Sequence, residues 1–297
     1  MATHCVDREL LNDWHIVADR ESLSPDKPFP TCLLGVDLVV RERSGRFEVI
    51  RSDTGAALKS AERYGFVWTC LDKPWRDIVF IPEANEADRH LVSGGSIAVK
   101  VSGLRAVENF LDMGHFPFVH TGWLGEEPHT EVAPYNVEIT AEDEVLATEC
   151  KFYQPIASPT AKEGFVVDYI YKVMRPYTVA LYKSNPIQKH RLDVITLFVQ
   201  PVDEENCIAS LSLLPQGRHG GCDGAQLHAI DLRAGQTDSR KPDTQAPAAR
   251  PACRNADPRR CRFGLLPALA ARPRRHLRRH TGAGLITMSA ACKGTML

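Results

Sequence analysis

Between residues 132 and 213, short runs rich in β-branched and aromatic residues follow one another, and this succession restricts the fold more than any other feature. The runs span residues 132–139, 145–152, 164–174, 178–183, 191–199 and 206–213, and Pro, Asp, Glu or Asn separates them. Strands this short, punctuated this often, predict an antiparallel, strongly curved sheet with one buried face. Ahead of the series, Ile97, Val99 and Val101 alternate as in another strand. The period then changes, because Leu104, Val107, Phe110 and Leu111 mark one face of a helix over residues 104–113. A helix packed on such a sheet gives an α+β domain.

The N-terminal part has a different grammar. Residues 10–18 lead into a β-rich run over 32–41, then a charged turn at 42–45, with residues 47–50 as the returning strand of a hairpin turning at Ser44-Gly45. Residues 52–55 signal a loop, and 64–71 read as the next strand. Three or four strands make a small β unit over roughly residues 14–72, with too little apolar material for a strong independent domain.

Charge divides the chain near Gly217. Residues 1–217 carry a net charge of -11, residues 218–297 carry +10, and every glutamate lies in the first part. The expected organisation is therefore residues 1–75 as the small β unit, 76–217 as the sheet-and-helix domain, and 218–297 as a divergent basic tail. A short helix around 265–271 is the most that the tail predicts. Its run Arg272-Pro-Arg-Arg-His-Leu-Arg-Arg could attract phosphates. It lacks interleaved aromatics, so nucleic acid is not expected as a partner. No apolar run approaches membrane-spanning length, so no membrane association is expected. Nine irregularly spaced cysteines suggest neither a disulfide framework nor a Cys-x2-Cys knuckle. With Asp7 and Glu9 near the start and no apolar stretch behind a basic one, the expected location is the cytoplasm.

The chemistry concentrates in residues 109–120, Asn-Phe-Leu-Asp-Met-Gly-His-Phe-Pro-Phe-Val-His. Asp112 and His115, three apart, share a helix face. His115 and His120 are five apart, which on an unbroken helix would separate them by about 140°. Pro117 should end the helix near Gly114 or His115, letting His120 fold back toward the same point. Two neutral imidazoles plus a carboxylate form the facial triad of mononuclear non-haem iron(II). Asp112 can serve as that carboxylate or can accept a proton from the second nitrogen of a ligating histidine. Met113 and Phe110 read as core, Trp68 and Tyr64 as sheet packing. His15, His129, His190 and His219 have no partner spacing and read as ordinary surface or core residues.

These stretches resemble the terminal oxygenase (alpha) subunit of Rieske non-haem iron ring-hydroxylating dioxygenases and the related O- and N-demethylases. The resemblance rests on residues 11–18, 33–40 and 62–71, and above all on the motif Asn-x2-Asp-x2-His-x4-His over 109–120, and it extends from about residue 10 to 213. It implies that His115 and His120 bind catalytic iron, with a later aspartate completing the triad. It also implies that Asp112 carries electronic coupling toward a neighbouring subunit's cluster and that Asn109 lies close to the iron. The implied fold is a Rieske-like β domain followed by a helix-grip catalytic domain, with subunits commonly in a ring of three. The implied partners are dioxygen, a small, usually aromatic organic substrate, and a reductase or ferredoxin.

Two departures stand out. The family's [2Fe-2S] cluster is held by Cys-x-His and Cys-x2-His, and neither occurs here, since residues 47–63 pass almost directly between the flanking strands. A distal acid in its expected helix is also missing. Residues 226–240 can be back-translated so that the +1 frame resembles the family's third-ligand segment, which suggests a frameshift between about Leu211 and Asp223. If the tail is out of frame, Asp223, Asp231 and Asp238 are poor third ligands. The resulting expectation is an oxygenase-type oxidoreductase, impaired or inactive. The alternative is a non-enzymatic small-molecule binding or oligomer-partner protein on the same fold. A metal-dependent hydrolase is a third class, for which no general base can be identified.

Overall fold

The computed structural model describes residues 5–156, 163–185 and 188–215. Three two-residue turns shape the first part of the chain. Leu34-Gly35, Ser44-Gly45 and Tyr64-Gly65 all adopt positive φ at both positions (51° and 79°, 53° and 76°, 55° and 80°). That conformation matches the twist of antiparallel strands and closes hairpins tightly. The strands between them are β1 (His15–Asp19), β2 (Phe29–Leu33), β3 (Val36–Arg43), β4 (Arg46–Arg51), β5 (Ala57–Arg63) and β6 (Phe66–Cys70), preceded by the short helix α1 (Arg8–Leu11). They form one antiparallel sheet in the order β1-β6-β5-β4-β3-β2.

The Ser44-Gly45 hairpin follows the sequence. Two other expectations are corrected. The run over 32–41 is split by the Leu34-Gly35 turn, because the far end of the other sheet holds that turn open: Leu34 N–H donates to Pro201 O at 2.8 Å and Gly35 N–H to Val202 O at 2.8 Å. Tyr64 is likewise a turn residue, and β5 precedes it where Ala-Leu-Lys-Ser-Ala-Glu-Arg carries little strand propensity. Pairing with β6, from Lys59 opposite Cys70 to Arg63 opposite Phe66, overrides that propensity.

The second sheet has seven antiparallel strands: β7 (Val92–Val99), β8 (Asn136–Ile139), β9 (Val145–Gln154), β10 (Phe165–Arg175), β11 (Thr178–Asn185), β12 (Gln188–Pro201) and β13 (Cys207–Leu214). Their order is β7-β13-β12-β11-β10-β9-β8, so each strand after β8 pairs with its successor and β7 closes onto β13. All six runs read from the sequence become strands. The helix α2 (Gly103–Leu111) follows β7, with Ser102 as its N-cap and Gly103, Ala106, Val107 and Phe110 as its buried stripe. The stripe is rotated from the predicted one, since Leu104 and Leu111 are only half-buried. At Gly103 a Cβ would lie 2.6 Å from the Tyr177 ring, so any larger residue there would push that ring aside or lift the helix from the β10–β11 turn.

The expectation of one buried face is also corrected. On one face, Val179, Leu181, Ile195, Leu197 and Leu213 pack beneath α2. On the other, Met174, Ala180, Val194 and Phe198 pack against Ile16, Phe66 and Trp68 of the smaller sheet. The Phe198 ring meets Trp68 edge-on at 5.2 Å, meets Phe66 at 5.4 Å and stacks on Tyr64 at 6.1 Å. Tyr64 and Trp68 therefore do serve packing, but between sheets. The central strands are consequently apolar on both pleats, as their unbroken burial over residues 194–201 records.

Candidate metal centre

The site begins where α2 stops. Asp112 leaves the helix with φ -83° and ψ 118°, and its carboxylate accepts from Gly114 N–H at 2.8 Å, a local bond that competes with helix continuation. The other carboxylate oxygen lies 3.2 Å from His115 Nδ1. This hydrogen bond, with that from Gly114, holds the Asp112 carboxyl below the usual carboxylate range despite partial burial.

His115 then caps α3 (Phe116–Val119), a single turn whose C-cap is His120. Pro117 occupies the first turn of this helix, where its missing N–H costs nothing. The predicted role of Pro117 is thus corrected: the first helix is ended by Asp112, and the proline begins the second. Because His115 and His120 flank the turn, their backbone angles swing the rings together, to a centroid separation of 5.0 Å and an interplanar angle of 62°. Two imidazoles so spaced can share one ion with each nitrogen about 2 Å from it. With Asp112 on Nδ1, the nitrogen of His115 open to a metal is Nε2.

Packing fixes this arrangement from below. Phe116 is buried, with its ring edge-on to His115 at 5.1 Å and to Phe152 at 5.5 Å. Met113 and Phe110 belong to the same core, as expected. On the far side the chain returns, with Trp123 and Leu124 N–H groups donating to His120 O at 3.1 and 3.0 Å. It passes so close at Gly125 that a Cβ there would sit 2.8 Å from Pro117 N. Gly125 and Phe116 escaped the sequence reading, and only the glycine's position just after the motif hinted at close approach. Asn109 is on α2, one turn before Asp112, at an exposed position.

Among the described residues, no group of three or more His, Cys, Asp or Glu side chains is placed to hold a metal. Asp223, Asp231 and Asp238, His219, the basic tail with the helix expected in it, and all but residues 211–215 of the span expected to hold the frameshift lie outside the described residues. His15 is buried and its Nε2 lies 2.7 Å from Leu10 O, while the His129 ring lies against Tyr153 at 4.1 Å.

The smaller sheet has no place for the cluster that the resemblance implies. Its β4–β5 connection, residues 52–56, is a closed turn: Gly55 N–H donates to Arg51 O at 2.9 Å, Arg51 N–H to Ala56 O at 2.9 Å. Arg51 clamps Asp53 through two bonds of 3.0 and 2.7 Å, and the guanidinium holds that carboxyl down to about 2. No cysteine or histidine stands in this turn, so its donors do not fit a [2Fe-2S] cluster.

Residues 99–231 match the model of the vanillate O-demethylase oxygenase C-terminal domain. A curated Pseudomonas sp. (strain TJI-51) protein, "Probable methylxanthine N7-demethylase NdmC", is 45% identical over 207 residues, covering 69% of this chain and 73% of that protein. The fold is shared with NdmA of Pseudomonas putida CBB5, solved with caffeine (TM-score 0.61, 16% identity, 81% of this chain and 86% of that one). It is also shared with dicamba monooxygenase bound to 3,6-dichlorosalicylic acid (TM-score 0.58, 14% identity, 76% and 84%). With this level of identity over most of the relative's length, the chain belongs to the Rieske non-haem iron oxygenases, the oxidoreductase family of ring-hydroxylating dioxygenases and O- and N-demethylases, though it lacks the family's cluster-binding motifs.

Proposed function

We propose that this chain is the oxygenase-type subunit of an N-demethylase for a small methylated heteroaromatic ring, with iron(II) held by His115 and His120. The observation that carries this reading is the convergence of the two imidazoles at 5.0 Å with Asp112 on the outer nitrogen of one. The substrate class is drawn from the 45% identical methylxanthine demethylase. When bound, the iron would supply dioxygen-activating chemistry, and overall an N-methyl group, dioxygen, two electrons and two protons give N–H, formaldehyde and water.

The protein's own share is geometric and electrostatic. Asp112 orients His115 and fixes its tautomer, and its ionised state favours a proton on Nδ1. Phe116 and the core beneath it exclude water from the lower side of the rings. Asn109 lies one turn away as a polar group for the approach to the metal. The third ligand comes from outside the described residues or is replaced by water. Since the chain has no cluster ligands of its own, the electrons must come from a separate donor protein, and no step runs through a cluster here. In this reading, residues 1–75 scaffold the sheet and residues 76–217 hold the site. The subunits assemble as a ring of three in the cytoplasm. No helix among the described residues is long and apolar enough to cross a membrane.

Iron content with an absorption spectrum tests the reading. The full chain, loaded anaerobically with iron(II), should bind up to one ion without the broad visible bands of a Rieske centre, and His115→Ala should abolish that binding. Iron retained by both His115→Ala and His120→Ala would overturn the site, and intense cluster bands would overturn the account of residues 47–63. The missing cluster motifs favour one second reading, a non-enzymatic ligand-binding or oligomer-partner protein. Ligand binding that ignores His115→Ala would support that reading instead. Sequencing the locus decides whether a frameshift separates the two compositions.

A further inference from the structure

Strand β10 sends Val167, Tyr169, Tyr171 and Val173 into the apolar core beneath α2 and α3. Two of these four are phenols, and the rings of Tyr169 and Tyr171 stack at 6.2 Å with 25° between their planes. Both residues are almost wholly buried, at 2% and 3% exposure, and neither hydroxyl has a hydrogen-bond partner among the described residues. An isolated buried hydroxyl is costly, and phenylalanine would fill the same volume without the penalty. Two such hydroxyls side by side call for a partner that the described residues do not supply.

Their position says what that partner is near. Tyr169 lies 6.4 Å from Phe116, whose ring is 5.1 Å from His115 and 6.3 Å from His120. Tyr171 meets Phe110 of α2 edge-on at 6.3 Å. Tyr169 thus stands one ring, that of Phe116, from the histidines, and Tyr171 stacks behind it, both among aromatic side chains suited to a flat ring. Burial pushes both phenols upward from their ordinary range, so they remain protonated and offer donors, which calls for an acceptor on the ligand.

We propose that Tyr169 and Tyr171 are substrate-recognition residues, donating hydrogen bonds to ring carbonyl oxygens of a planar heterocycle bound beside His115 and His120. The proposal rests on the demethylase reading for its substrate class, but it assigns recognition to two residues that this reading does not use.

The test is titration calorimetry on the iron-free full chain with caffeine, 7-methylpurine and vanillin as probes, accompanied by thermal unfolding. Caffeine should bind more tightly than 7-methylpurine, which has no carbonyl. Tyr169→Phe and Tyr171→Phe should each weaken caffeine about tenfold, and the double variant should lose the preference between the two purines. Neither variant should unfold at a lower temperature, because each removes an unpartnered buried hydroxyl. Unchanged caffeine affinity in the double variant overturns the proposal while leaving the substrate class standing. A lowered unfolding temperature in both single variants makes the phenols structural and also overturns it. Tyrosine-dependent binding of vanillin but not caffeine overturns both the heterocycle proposal and the methylxanthine class. No binding of any probe overturns both.

Discussion

The two sheets follow the same antiparallel rule and differ in what their connections carry. In the smaller sheet, the hairpins at Leu34-Gly35, Ser44-Gly45 and Tyr64-Gly65 close in two residues, and the β4–β5 turn is pinned by Arg51 and Asp53. In the larger sheet, the connection from β7 to β8 runs through two helices broken by Asp112, and it holds the histidine pair. A tight turn satisfies its backbone locally and leaves no room for ligands. An irregular connection must be held by neighbours, and those same neighbours can aim side chains. The cluster-binding motifs are therefore missing from the first region, the proposed iron ligands sit in the second, and the two sheets pack face to face.

If the smaller sheet now acts as a wall of the larger one, Phe198→Ala should cost the most, about 3–5 kcal/mol, in a single cooperative urea transition. A loss under about 1 kcal/mol, or two separate transitions, would show that the sheets do not depend on each other. Within the larger region, Asp112→Ala should weaken iron about 10–100-fold by chelator competition with little change in stability. An unchanged affinity would reduce Asp112 to a helix-end residue. Gly125→Ala should cost about 1–3 kcal/mol, because the added methyl meets the Pro117 backbone. It should also shift iron affinity, whereas a neutral result would mean that the return of the chain does not position α3.

The joint between the regions also has a pH signature. Burial holds His15 below the ordinary histidine range, while its bond to Leu10 O opposes the shift only in part. The unfolded chain therefore binds more protons than the folded one below about pH 6.5. The His15 contribution is present above that pH and is lost as pH falls toward the folded-state value. Unfolding temperature should decline below about pH 6.5 more steeply in the wild type than in His15→Phe, and parallel profiles would sink the assignment. The smallest effect belongs to the β4–β5 turn of the smaller sheet. Asp53→Ala removes an exposed ion pair, so iron binding should not change and the thermal midpoint should barely move. A marked loss of iron would mean that this tip communicates with the metal.

The larger sheet was largely legible because each of its strands is a β-rich run bounded by breakers, and alternation survives at its edges. The motif Asn109, Asp112, His115, His120 was legible for another reason: residue type and spacing carry the chemistry even when the local geometry is misread. The misreading was specific. Proline inside a helical pattern suggests an end, yet in the first turn it suits a beginning, and only the Asp112 bond to Gly114 distinguishes the two. The strand β5 was invisible because Ala, Lys, Ser, Glu and Arg have no strand preference of their own, and its partners create it.

The residue pattern alone determined that an antiparallel sheet with a two-histidine helical segment would form, because hydrophobic periodicity and side-chain chemistry are local properties. Only tertiary structure decided that the sheet is covered on both faces, that Leu34-Gly35 is a turn, and that the rings of His115 and His120 lie 5.0 Å apart. Each of these depends on contacts between segments distant in sequence, such as Pro201 O accepting from Leu34 N–H and Gly125 pressing on Pro117. No window of adjacent residues contains both partners of such a contact.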